Sequence, residues 1–551
     1  MDGPVGRDSS RIARFAGRWA AVAVPAAFLA VFFVYPAGAI LWRGLFSEGF
    51  GPMSDLFASS RTRGVLWFTV WQALASTAIT LVVALPAAAV VTRLQGRYRH
   101  WVRGLVTVPF VLPTVVVAGA FEGVFDRFGL EDGGLRLRHT VWAILLAHVF
   151  FNYAVVVRIV GSFWSGLDHR VEEQARVLGA GPIQTFWAVT LPRLRPAIAS
   201  ACAIVFLFSF TSFGVILLLG GPRRATLETE IYRQAVTRGD LRSAAGLALV
   251  QLLAVLALIA AATRLERRRP APTGVAHSPP EPLPRSFVWA NFAVMAVLLG
   301  SPIAILVERS LSVGDGYGLD HYRALTERVP QLPATAATAL GNSLVFATVA
   351  TALALAVGTL AALVVVHGRS GLRRVFDLGL TLPLGTSAVT IGFGILIALD
   401  EPPLDLRTSW WIVPIAHALV GTPFVVRTMV PVLRRIDPQI REAAAVLGAS
   451  PGRVRRLIDL PIAGRGMLVG AGFAFAVSLG EFGATSFLPR RPETLTAPLA
   501  LYRLLSTPGE LLRGQAMALA VVLMVIVALA VVAIEASRGS ERGTDAVWES
   551  L

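Results

Sequence analysis

The sequence predicts an all-α polytopic membrane protein of about twelve transmembrane helices, arranged as two parallel six-helix repeats. Three observations carry this prediction. Of 551 residues, 55% are hydrophobic and only 15% charged, with a mean hydropathy of +0.66, too little charge for a soluble chain of this length. The apolar residues gather in runs of about 20, the length a helix needs to cross about 30 Å of hydrocarbon. The second half also repeats the first at an offset of 269 positions.

The runs of the first half lie near 19–42, 66–92, 104–125, 139–162, 196–219 and 243–263. Those of the second lie near 287–308, 340–366, 376–399, 409–431, 464–487 and 515–535. The first run is long for a signal-peptide core and no small-residue cleavage site follows it, so it reads as a retained helix. Pro109, Pro113 and Pro383 are expected to break or kink the third and ninth spans. Between the halves, RLERRRPAPTGVAHSPPEPLPRS is rich in arginine and proline and reads as a linker. The chain thus divides into a first repeat, 1–263, a linker, 264–286, and a second repeat, 287–551.

The formal net charge is +16, and all 50 basic side chains are arginine, because the chain has no lysine. The arginines cluster at the ends of apolar runs, the pattern that sets membrane topology rather than nucleic-acid binding. Arg7, Arg11, Arg14 and Arg18 precede the first span; Arg93, Arg97, Arg99 and Arg103 follow the second. Arg264, Arg267, Arg268 and Arg269 follow the sixth, and Arg369, Arg373 and Arg374 the eighth. All face the cytoplasm if both termini do. The segment 223–242 is also arginine-rich and would lie outside, though it carries Glu228, Glu230 and Asp240 as well. Without lysine there is no Walker A loop and no Schiff-base chemistry. The purified chain alone is therefore expected to release no phosphate from ATP. A phosphate-release assay in detergent, with and without added ATPase, checks this, and turnover by the chain alone would overturn it. Cys202, the single cysteine, lies in an apolar run and reads as a small core residue.

The offset pairs His148 with His417, Arg158 with Arg427, Asp168 with Asp437, Glu173 with Glu442 and Gly179 with Gly448. It also pairs Pro182 with Pro451, Pro192 with Pro461, and Phe213-Gly214 with Phe482-Gly483. Each half holds six spans, so the repeats share one orientation, with a pathway expected between them. The most informative paired segments are VEEQARVLGAGPIQTFWAVTLP and REAAAVLGASPGRVRRLIDLP. In the latter, Asp437 is a good N-cap and Pro438 fits the first helical position. Helix formers follow, Gly448 ends the helix through positive φ, and Ser450 and Pro451 cap and start a second helix. Asp168, Gly179 and Pro182 hold the same places in the first copy. Such an element costs conformational entropy to order, so a docking partner is expected. The bland alternative is an amphipathic helix on lipid headgroups, which the small residues Ala443, Ala444 and Ala445 oppose.

The pattern E-x-A-x-x-x-G, followed by a short helix and L-P, resembles the EAA loop of ABC importer permeases. Glu442, Ala443, Ala444 and Gly448 match it; Glu173, Ala175 and Gly179 match it except at Gln174. Both glycines fall six residues after their glutamate and both Leu-Pro pairs eighteen after it. The resemblance covers the whole chain, as a fused two-repeat permease of the type I importer fold. It implies coupling helices at about 182–188 and 451–457, with Glu173 and Glu442 holding each loop to neighbouring groups. It implies two ATPase subunits on the cytoplasmic face and an extracytoplasmic binding protein. It implies no catalysis by this chain, no cofactor, and a place in a bacterial inner membrane. LAHVFFN, SFTSFGVILLLGGP with TLETEIYRQA, and SLGEFGATSFL with TLTAPLALYRLL are similar to thiamine and ferric-iron permeases, with the first half leaning toward thiamine.

His148 with Asn152, and His417 with Thr422, lie on equivalent spans and read either as pathway lining or as interhelical hydrogen bonds. Glu481, at the position of Ser212, reads as a gate residue, a contact for the binding protein, or polarity at a helix end. No cluster has metal-ligand spacing, so an iron cargo would pass chelated or weakly held. An ion-coupled secondary transporter would instead need carboxylates mid-span and no repeated docking loop. An intramembrane enzyme would need an acidic or nucleophilic cluster beside a span, and Asp400-Glu401 with Asp405 is the nearest such group.

Overall fold

A computed structural model describes residues 22–46, 57–94, 96–130, 136–267, 283–368, 370–400, 405–406, 409–488 and 491–538. The amino-terminal arginines, most of the linker, Arg369 and Glu401 lie outside the described residues. Within them the chain is almost wholly helical, and ten helices are long and apolar enough to cross a membrane. Twelve were expected. The third run is broken rather than continuous: Gly104–Val111 and Thr114–Arg127 meet at 101° and count at most as one bent span. The ninth is split into Ser370–Gly385 and Ala388–Ala398, neither long enough alone. The breaks fall at Leu112-Pro113 and just after Pro383. Proline lacks the N–H that continues the ladder and disfavours helix in the residue before it. Ser387 then caps the restart, accepting from the Val389 N–H at 3.1 Å.

By packing, the chain forms two compact units that do not follow the sequence halves. One consists of Ala339–Thr496 with the described parts of Met1–Arg43 and Leu529–Leu551. Its core includes Phe346, Ile391, Val413, Leu419, Val425 and Met429, and Leu29 and Phe33 of the first helix join it. That helix approaches closely where Gly394 leaves room: a Cβ there would lie 3.1 Å from the Pro36 Cβ. Helices Ile412–Arg435 and Leu460–Gly480 also touch backbone to backbone, since a Cβ on Gly470 would lie 2.9 Å from the Val425 Cα. Small residues at helix crossings are how spans associate in lipid.

The other unit is Gly44–Thr338 with Ala497–Ala528. Here Ser60–Arg93 packs along Val141–Ser165, the most buried of the spans. Helix 285–311, the first of the second repeat, packs on Thr114–Arg127, and Arg309 pairs with Asp126 at 2.9 Å. Within the arginine-rich segment 223–242, Arg233 pairs with Glu230, which Arg61 also contacts, at 3.5 Å.

Candidate functional site

The two repeated loops fold alike. Helix Arg170–Val177 ends at Gly179, with φ +89°, and Pro438–Val446 ends at Gly448, with φ +83°. In each, two crossed bonds close the end: Gly179 N–H to Arg176 and Ala180 N–H to Ala175, then Gly448 N–H to Ala445 and Ala449 N–H to Ala444. This is a Schellman motif, whose left-handed residue favours glycine. Asp437 caps its helix as expected, accepting from Gln439 N–H at 2.9 Å. Asp168 accepts from Arg170 N–H at 3.1 Å. Ser450 occupies the cap position of the next helix, but its hydroxyl makes no capping bond.

Pro182 and Pro451 start the short helices. These do not end near 188 and 457, the bounds the resemblance implied. Each passes through a π-helical turn, Phe186–Thr190 or Arg455–Asp459, and runs on. Leu191 N–H reaches back to Phe186, and Leu460 N–H to Arg455. The wider turn carries the chain past Pro192 and Pro461, which have no N–H to give.

Glu173 and Glu442 are exposed, and among the described residues neither carboxylate is hydrogen-bonded or ion-paired. The loops are held one residue earlier. Glu172 Oε1 accepts from Thr190 Oγ1 at 2.7 Å, and its Oε2 lies 3.2 Å from His169 Nδ1. Burial pushes the Glu172 carboxyl up, but the bonds from His169 and Thr190 and the nearby positive charges outweigh that and hold it below the usual range. The equivalent positions, 269 further on, are Arg441 and Asp459, and Arg441 Nε donates to Asp459 Oδ1 at 2.8 Å. Both loops thus carry a bridge from the first helix to the π-turn, built from different chemistry. The repeat alignment held the signal, a polar pair at one spacing, but changing residue types hid it.

Bridged from behind, each loop presents an apolar tip. Val177 and Leu178 are each 87% exposed, and Val446 and Leu447 each 88%. Ile183, Trp187 and Leu457 extend these surfaces. Ala443 is exposed, and Ala175 and Ala444 are half-buried beside the tips.

The pathway candidates are in interhelical clamps. His148 Nδ1 lies 2.9 Å from Ser76 Oγ and its Nε2 2.9 Å from Ser212 Oγ. His417 Nδ1 lies 2.7 Å from Ser478 Oγ and its Nε2 2.9 Å from Thr485 Oγ1. Asn152 donates to Ser209 Oγ at 3.3 Å. Glu481 accepts from the backbone N–H groups of Ala484 and Thr485 and from Thr485 Oγ1. It therefore caps the turn after its span. Each imidazole ties its span to the break that follows the fifth span of its repeat, a tie buried polar groups need in lipid.

The family model for the binding-protein-dependent transport system inner membrane component matches residues 81–269 and again 354–537. The chain belongs to this family. It is a permease of the ABC importer type, a transport component and not an enzyme, in a family of multi-pass inner-membrane proteins that work with ATPase and substrate-binding subunits. It is 27% identical over 501 residues to a probable ABC transporter permease of Sinorhizobium fredii, covering 85% of this chain and 88% of that one. It is 28% identical over 467 residues to a thiamine transport system permease of Brucella abortus, covering 80% and 83%. A molybdenum transport system permease of Mycobacterium tuberculosis is 34% identical over 213 residues, 37% of this chain and 80% of that one.

Proposed function

We propose that this permease carries thiamine, or a thiamine derivative, from an extracytoplasmic binding protein into the cytoplasm. Two ATPase subunits drive it, one at each loop, with both loops and both termini on the cytoplasmic face. The observation that carries the two-subunit reading is the matched geometry of the loops. Two equally capped, separately bridged elements each offer an exposed apolar tip, the feature that marks a protein interface. In this reading closure of the ATPases moves the short helices, and the unbroken π-turns pass that motion into the next spans. Glu173 and Glu442 meet the ATPase rather than the permease. The His148 and His417 clamps position the ends of the spans.

The cargo rests on the thiamine permeases among the relatives, which match along most of both chains. Cells lacking the gene are expected to lose accumulation of labelled thiamine at low external concentration, and the restored gene to return it. Normal thiamine accumulation together with lost molybdate or ferric-iron accumulation would overturn the cargo while leaving the importer intact.

A further inference from the structure

The unit Gly44–Thr338 with Ala497–Ala528 holds a half-open pocket of about 440 Å³, within the usual range for a small-ligand site. Both sequence repeats line it. The first repeat carries Thr226, five residues, then Tyr232-Arg233; the second carries Thr496, five residues, then Tyr502-Arg503. Each threonine immediately precedes a helix, Leu227–Tyr232 or Ala497–Leu505. Tyr232 and Tyr502, matched by this local spacing at an offset of 270, one more than that of the repeat as a whole, both line the pocket. Both repeats thus contribute to one pocket.

The wall is rich in donors. Arg138, Arg224 and Arg233 line it with a single carboxylate, Glu122, which is 3.5 Å from Arg138. Arg233 pairs with Glu230, which Arg61 also contacts. Arg224 donates to the His139 carbonyl oxygen at 3.4 Å, not to a carboxylate. Three guanidinium groups thus line the pocket with one carboxylate. The rim is also strained. His139 has φ +56°, the sole non-glycine positive φ among the described residues, and its ring lies against Gly221. Such strain gathers where a site is being shaped.

We infer that this cavity binds the oxyanion group of the cargo, a phosphate ester or a free tetrahedral oxyanion, with Arg224 as its principal ligand and the two tyrosine hydroxyls as further donors. Arginine is suited to that role because its planar fork matches two oxygens at once. The inference rests on the importer reading of the chain but not on thiamine itself; the neutral hydroxyl of free thiamine accepts a weaker bond than an oxyanion, which offers several charged oxygens to the arginine fork.

The test uses the full-length permease in lipid nanodiscs without its partners, so that transport failure cannot mask it. Binding of thiamine monophosphate, molybdate, inorganic phosphate and thiamine is measured by calorimetry and by the shift in melting temperature. At least one of the anions is expected to bind, and thiamine to bind at least about tenfold more weakly than that anion. Binding of molybdate or phosphate alone identifies a free oxyanion; binding of thiamine monophosphate alone identifies an ester. Arg224→Gln is expected to weaken anion binding about tenfold and Arg224→Lys less, because lysine keeps the charge without the fork. The idea is overturned if no anion binds, if thiamine binds as well as the anion that binds best, or if Arg224→Gln binds anions as tightly as the parent protein. Loss of thiamine uptake in cells with intact anion binding here would point to the cargo assignment, not to the site.

Discussion

Gly448→Val is expected to leave the permease inserted at near-normal levels while co-purification of the ATPase and uptake fall together. Gly448 has φ +83°, and no heavy atom lies within 4 Å of where its Cβ would stand. Crowding therefore plays no part, and the penalty is in the backbone. A β-branched residue held in the left-handed region is strained by at least about 1 kcal/mol. The chain relieves this by giving up the crossed bonds from Gly448 to Ala445 and from Ala449 to Ala444. The short helix from Pro451 then leaves in another direction and takes Leu457 with it. The spans do not depend on this turn, so insertion survives. Gly179→Val should act in the same way, since Gly179 has φ +89° and equally open surroundings. Gly448→Asn is the control, because asparagine tolerates the left-handed region and should retain most of both activities. If both valine variants bind ATPase fully and transport fully, the loops are not the docking elements.

The loops were legible because their signals are local. Asp437, Pro438, Gly448 and Pro451 each fix the backbone within a residue or two, and the fold kept each at its post except for the hydroxyl of Ser450. The spans were legible as apolar runs, but continuity was not, since whether a proline bends a helix or ends it depends on what packs against the break. The exchange of first helices between the compact units was not legible at all. Leu29 and Phe33 are ordinary apolar residues in their own run, and only Gly394, more than 350 positions away, reveals where that helix lies. The bridges were missed for a different reason. The family pattern marks Glu173, but it is Glu172 that turns inward.

The bridge of the second loop supplies the other large expected effect. The Asp459 carboxylate is 1% exposed and accepts from Arg441 Nε at 2.8 Å, with His367 Nε2 at 3.4 Å from its other oxygen. Arg441 is 22% exposed and also donates to the Leu433 carbonyl at 2.9 Å. Breaking a buried pair costs about 3 kcal/mol when the remaining charge cannot reach water. The two single deletions are therefore unequal. Asp459→Ala leaves an arginine that can still reach solvent and Leu433, whereas Arg441→Ala leaves a fully buried carboxylate with only His367 beside it. Arg441→Ala should lower the melting temperature of the purified chain more than Asp459→Ala, and both should weaken ATPase co-purification. The first loop provides the rescue. Its equivalent pair is Glu172 with Thr190, so Arg441→Glu combined with Asp459→Thr rebuilds that bridge at the second site. Asp459→Thr alone should behave like Asp459→Ala, and the double variant should regain more than half of the lost melting temperature and ATPase binding. If the double variant is worse than the sum of its single changes, the two bridges are not interchangeable latches, and the second is held by its ion pair with arginine specifically.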